Sequence, residues 1–161
     1  MTGPLRRLLL VFVAGLLVTA VPAEAQFRSH SNDSTKFRVS TTFVTIIVPA
    51  SAFDRRTGIA VVTVPRAVMG SVYSNRPWTL RVRAESLEAR SRAGLESKAY
   101  SDLAIRGGNE AGFRPLSVTP TGVITGGKTS GWQPVAIDLQ LTARLTDAGG
   151  AYAFRLKFDL D

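Results

Sequence analysis

No cysteine occurs among the 161 residues, histidine occurs once, at His30, and methionine and tryptophan occur twice each. Each scarcity closes a route. Without thiols there is no disulfide scaffold, no thiolate nucleophile and no thiolate metal ligand. A lone histidine in a polar stretch leaves an ordinary Ser-His-Asp arrangement without its base. With no His or Cys cluster and no Asp-rich loop, zinc and calcium sites lack their usual ligands. No apolar run reaches the roughly 20 residues that a membrane-spanning helix needs. Acidic residues are also few, 12 against 20 basic ones, for a net charge of +8.

What is present begins with the longest apolar run, Leu8 to Val21. It follows Arg6 and Arg7 and precedes Ala23-Glu24-Ala25, which together make the three parts of an export signal. On this reading residues 1–25 are a signal peptide, residues 26–35 a flexible leader, and residues 36–161 one folded domain. Export implies a periplasmic, cell-surface or secreted destination, with no transmembrane span once the signal is cleaved. The 136 residues after Ala25 suit a single core. They carry 18 Lys plus Arg, 14 of them Arg, against 11 acidic residues, for a net charge of +7. Such a surface favours anionic partners, among them lipopolysaccharide, wall polymers and acidic polysaccharide, in a salt-dependent way. A scattered, merely solubilising charge is the alternative, since no basic run occurs.

The rest of the chain reads as strands. "KFRVSTTFVTIIV", from Lys36 to Val48, is rich in β-branched and aromatic residues and stops at Pro49, as one long strand or two broken by a bulge. "IAVVTV", from Ile59 to Val64, ends at Pro65, and Val68 to Tyr73 follows as a further candidate. In Trp78 to Ala84 the residues Trp78, Leu80, Val82 and Ala84 share one face and Thr79, Arg81 and Arg83 the other. Glu85 to Tyr100 reads as a loop with at most a short helix, because its apolar residues are sparse and Gly94 interrupts it. Asp102 to Arg106 and Phe113 to Val118 are short strands, the second placed at an edge by Pro115. Val135, Ile137, Leu139, Leu141, Ala143 and Leu145 alternate with polar residues, and Tyr152, Phe154, Leu156, Phe158 and Leu160 do the same after the turn, so the two stretches predict a hairpin. Strands at this spacing, punctuated by Gly and Pro, predict an all-β fold, a two-sheet antiparallel sandwich of about seven to nine strands.

"GVITGGKT", Gly122 to Thr129, matches the GxxxxGK[ST] phosphate loop letter for letter. Such a loop needs a strand before it and a helix after it, whose N-terminal amides converge on the anion. Here Pro120 precedes it, and Gly131 and Pro134 fall where the helix would start. A Gly-rich turn with Gly126-Gly127 at its tip is the expectation, and no nucleotide or other cofactor is expected.

Six residues remain as candidate ligand-binding positions. Arg81, Arg83, Arg144, Arg155 and Lys157 take outward parities on long strands, so that one basic sheet face can meet a polyanion. Trp132, between Gly131 and Gln133, is the candidate exposed aromatic for a sugar ring, with Tyr100 as a companion, whereas Trp78 belongs to the core. Carboxylates for a glycosidase-type pair are confined to Glu85, Glu88, Glu96, Asp102 and Glu110, in or beside loops.

"GAYAFRLKF", Gly150 to Phe158, resembles the GxYxxxLxF closing strand of exported bacterial β-sandwich proteins, including spore-coat-U-like and pilin-like subunits. It is similar also to the tyrosine corner of immunoglobulin-like sandwiches, although Asp147 lies five residues before Tyr152 instead of four. "SNRPW", Ser74 to Trp78, is similar to the Asn-x-x-Trp opening of a strand in other surface sandwiches. The resemblance implies an immunoglobulin-like fold and an envelope or surface role; the cysteine pair usual in pilin-like chains is absent. Together these features lead to the expectation of a non-catalytic exported β-sandwich, a cell-surface, matrix or appendage component engaging other copies or subunits by strand addition. The alternative is a polyanion- or glycan-binding module, and a hydrolase with a non-standard acidic site is the third class.

Overall fold

A computed structural model describes residues 12–17, 34–40, 43–90, 97–108, 110–147 and 152–161. The leader residues 26–33, His30 and Glu96 lie outside the described residues, as does most of the expected signal peptide. The described chain is all-β, with twelve strands and two single-turn 3-10 segments.

Two antiparallel sheets carry the core. The larger has five strands in the order β2, β4, β11, β8, β9, formed by Thr35–Val39, Ile59–Ser74, Gln133–Arg144, Leu103–Gly107 and Arg114–Pro115. The smaller has the order β10, β5, β12, formed by Thr121–Gly126, Trp78–Ala84 and Leu156–Leu160. Two pairs complete the fold: β1 (Phe12–Leu17) with β3 (Phe43–Val48), and β6 (Glu88–Arg90) with β7 (Ser97–Ala99). Period-two alternation explains the faces. Trp78, Leu80, Val82 and Ala84 of β5 and Ile137, Leu139, Leu141 and Ala143 of β11 are all buried in one cluster, which Val72, Leu103, Ile105, Phe154 and Leu156 join.

Four differences from the sequence reading have physical causes. Pro65 does not end a strand; β4 runs through it for 16 residues. The ladder to β11 shifts register there, from Val64 opposite Leu139 to Val68 opposite Ile137, so three residues of β4 face Asp138 alone. Arg66, in this bulge, takes a left-handed φ of 51°, and its N–H, withdrawn from the ladder, donates to Asp138 Oδ1 at 2.7 Å. Two extra residues preserve parity, so apolar residues stay inward on both sides of the bulge. Second, the segment from 88 to 99 holds strands β6 and β7 instead of a plain loop. Third, the strands on either side of Asp147 do not form a hairpin. β11 lies in the five-stranded sheet and β12 pairs with β5 in the other. Both strands have one apolar face, and an arch between sheets buries the two faces against each other across the core.

Fourth, "TGVITG" is strand β10, paired with β5. Its Gly126 is opposite Trp78, and a Cβ there would lie 2.4 Å from the indole ring. The first glycine of the Gly-Gly pair is therefore fixed by the packing of a core tryptophan. Gly127 has open space. Urea denaturation should show Gly126→Ala losing roughly 1–3 kcal/mol through overpacking, with Gly127→Ala within about 0.5 kcal/mol of the unaltered protein; equal effects would remove this account.

Candidate functional site

The five basic residues chosen for their outward parity do not form one basic surface. Arg81, Arg83, Arg155 and Lys157 flank the outer face of the smaller sheet, and each meets a carboxylate: Arg81 with Asp161, Arg83 with Asp159 at 3.2 Å, Arg155 and Lys157 with Glu85 at 3.5 Å. Four cations thus face three anions. The pairs are largely solvated and contribute little stability, but they cancel most of the field a polyanion would feel. The acidic partner Asp159 sits on the same strand as Lys157 and Asp161 just past its end, two residues apart, so the alternation that made the face look basic also supplies its counter-charges.

Arg144 belongs to the other sheet and to a buried charge network. Its guanidinium donates to both oxygens of Asp102, at 2.8 and 2.9 Å, which holds Arg144 more basic than usual. Lys98, whose side chain is only 5% exposed, donates to Asp102 at 3.0 Å and to Asp147 at 2.5 Å. Burial alone would raise the Asp147 carboxyl, but hydrogen bonds from Lys98 and the Arg144 amide, with the charges of both residues, leave it below its ordinary value. One lysine and one arginine balance two aspartates and fasten the β7 end to the end of β11. Outward-facing parity gave no sign of this, because Lys98 turns inward from a three-residue strand.

The aromatics separate too. Tyr100 is buried, stacks edge-on against Phe154 at 5.2 Å, and accepts the Arg155 amide on its hydroxyl at 2.7 Å. Trp78 is core, as its parity indicates. Trp132 is 39% exposed and packs at 5.9 Å from Tyr73, but Arg38 lies over its ring at 4.0 Å. One face of the indole is therefore taken by a guanidinium.

In the phosphate-loop-like stretch, the chain runs from β10 into an extended segment and then β11, with no helix. Lys128 is exposed, while Thr129 is buried and fastened to Ser74 through its N–H at 2.8 Å and its hydroxyl, which accepts the Ser74 amide at 2.9 Å. Of the loop carboxylates, Glu85, Asp102 and Glu110 each have a cation partner. Among the described residues no group of three or more Asp, Glu or His could hold a metal.

One feature with the form of a site was not visible in the sequence. A groove of about 820 Å³ opens beside the β4 bulge, lined by Arg66, Arg106, Arg114, Glu110 and Asp138, by Gly122–Thr125 of β10 and by Gln133–Ala136 of β11. It exists because β8 pairs with β11 only over Ile137–Leu141, leaving Gln133–Ala136 with no strand on that side. Across the gap, β10 is the edge strand of the smaller sheet. Gly107 closes one end: a Cβ there would lie 2.4 Å from the Val123 carbonyl oxygen. Arg106 is held by Asp138, at 2.6 and 3.1 Å, and stacks over Phe113 at 4.5 Å; Arg114 is held by Glu110 at 2.7 Å and by the Gly122 carbonyl at 3.2 Å. The Arg66 amide, despite partial burial, keeps the Asp138 carboxyl below its ordinary value, and Arg106 adds to the effect. The Arg66 guanidinium has no partner among the described residues. A strained non-glycine residue at a bulge beside a groove is a physical marker of function; from sequence, Pro65-Arg66 inside an apolar run was the only trace.

Comparison of the chain with protein-family models, curated proteins and solved structures finds no match. The functional reading rests on geometry.

Asp138→Ala should lose roughly 1–3 kcal/mol by orphaning the Arg66 amide and the Arg106 guanidinium, whereas Arg66→Gly should keep or raise stability by up to about 1 kcal/mol, since glycine adopts the left-handed conformation freely; chemical denaturation checks both. Lys98→Met should cost roughly 3–5 kcal/mol, because it takes from the part-buried Asp147 its ion-pair partner and leaves Asp102 to Arg144 alone. In the unaltered protein, the depressed Asp147 carboxyl contributes stability that is complete above its unfolded value near 3.8 and is lost as pH falls through the folded value. Asp147→Asn should flatten that acid limb of a stability-against-pH curve, and an unchanged limb would refute the assignment.

Proposed function

We propose that this chain is a non-catalytic exported β-sandwich of immunoglobulin-like topology that serves as a cell-surface, matrix or appendage component and engages other copies or subunits by strand addition. The observation that carries the reading is the pairing of β3. Among the described residues its only strand partner is Phe12–Leu17, in register from Phe12 opposite Val48 to Leu17 opposite Phe43, and that partner lies within the stretch read as the export signal. Cleavage after Ala25 would take β1 away and leave Phe43–Val48 with an unpaired edge.

That edge has none of the usual protections. "FVTIIV" contains no charge and no proline, and it is six residues long. Its Val44, Ile46 and Val48 pack on the core, which fixes the strand in place, while Thr45 and Ile47 face outward. A fixed, bare, apolar edge accepts another strand through main-chain hydrogen bonds, with side-chain alternation setting the register. The closing-strand resemblance of Gly150 to Phe158 supports the same class. The paired charges on the smaller sheet weigh against a broad polyanion-binding face.

Size-exclusion chromatography with light scattering, on the full chain and on the chain beginning at Gln26, tests the reading. The shortened chain should associate at high concentration, and Ile47→Lys should return it to monomer, because a charge on a strand edge blocks pairing. A shortened chain that stays strictly monomeric, with slow hydrogen exchange at the Val44–Val48 amides, would mean the edge is satisfied internally and would sink the proposal.

A further inference from the structure

We propose that the groove between β10 and the start of β11 is a binding site for an extended peptide segment bearing a carboxylate, which adds as a short strand to Gln133–Ala136 and pairs its carboxylate with Arg66. The site is distinct from the β3 edge and does not depend on export or on cleavage.

Three observations set the ligand class. The first is backbone chemistry. Among the described residues Gln133–Ala136 pair with β4 on one side only, and β10 lies at the edge of its own sheet across the gap. An unpaired strand edge offers N–H and C=O groups in the spacing that an extended peptide complements, although Pro134 contributes only a carbonyl and the Gly122 carbonyl is already taken by Arg114. Four residues span roughly 13 Å of strand, a reach suited to a short segment. Ile124, Val135 and Ala136, all part-exposed, supply apolar surface for the alternate side chains.

The second is charge. Arg106 and Arg114 are already matched by Asp138 and Glu110, so the groove keeps one unmatched cation, Arg66. The bulge fixes where that side chain leaves the backbone, since the Arg66 amide is clamped by Asp138 at a φ that most residues avoid. A single guanidinium selects a single carboxylate, which it can hold by two parallel hydrogen bonds. In addition, Glu110 Oε2 is buried without a hydrogen-bond partner, which an incoming N–H can satisfy.

The third is what the walls omit. No Trp, Tyr or Phe lines the groove. Sugar rings gain much of their binding from stacking on such rings, so these walls favour a peptide over a saccharide.

The test is a titration of the isotopically labelled full chain followed by its amide resonances. Three probes are used: two amidated hexapeptides of alternating Val and Thr that differ by a central Glu or Gln, and the Gln peptide with a free C-terminal carboxylate. The Glu peptide should shift the amides of Val135, Ala136 and Val123–Thr125 and bind about ten-fold more tightly than its amidated Gln counterpart. Arg66→Gly, which keeps the backbone conformation, should reduce the Glu peptide to the level of the Gln peptide. If the free-acid Gln peptide matches the Glu peptide, a chain terminus supplies the carboxylate and the assignment stands. Equal binding of the Glu and amidated Gln peptides, an unchanged affinity in Arg66→Gly, or shifts at these amides from oligogalacturonate but from no peptide would each overturn it. Because association through β3 is read by light scattering, either proposal can fail alone.

Discussion

The ladder between β4 and β11 is the contact on which the rest of the molecule depends. It is the longest pairing in the fold, running from Gln133 opposite Val72 to Arg144 opposite Ile59, and a chain without disulfides has no covalent substitute for it. Its weak point is Pro65, which has no N–H to give. The structure absorbs that loss by looping out two residues, so parity is kept and the apolar faces of both strands remain on the core side. Asp138 makes the bulge possible by accepting the Arg66 amide that the ladder releases. One carboxylate therefore joins register, backbone strain and the electrostatics of the neighbouring groove.

From that ladder the positions of the other strands follow. β8 pairs with β11 over Ile137–Leu141, across the bulge position at Asp138, and its short reach leaves Gln133–Ala136 uncovered among the described residues. The arch after Asp147 sends the chain across the core instead of back along the same sheet, so β12 meets β5 and places Asp159 and Asp161 among the arginines of that strand. The Lys98 network secures the end of β11 from which the arch leaves. Eight of the described cations are thus engaged in ion pairs within the fold, and Arg66 and Lys128 stand outside that set.

Local patterns fixed the strands that have one wet face. Trp78–Ala84 alternates strictly and is β5 to the residue, and the alternation from Val135 to Ala143 lies within β11, whereas Leu145, read as its last inward member, falls past the strand's end and is exposed. Period two is a property of a single strand, so it needs no partner to be read. The edge position of β9 also followed from Pro115 alone. By contrast, β10 was hidden by its glycines, because a residue that packs under a tryptophan looks the same in sequence as one that makes a turn. Likewise Tyr100 and Lys98 gave no sign that they face the core, since they lie on elements too short to show a period.

By itself the sequence determined the fold class, the absence of thiol chemistry and the inward faces of the long strands, because these depend on residue type and local spacing. Only the tertiary structure decided which strands share a sheet, which arginines find carboxylates, and where an edge is left open. Those outcomes depend on register between segments as far apart as Arg66 and Asp138, or Arg81 and Asp161, and a one-dimensional pattern carries no information about which distant residues will stand opposite each other. The groove beside Arg66 is of that second kind: every residue in it is ordinary alone, and the site arises from a bulge in one strand and the short reach of another.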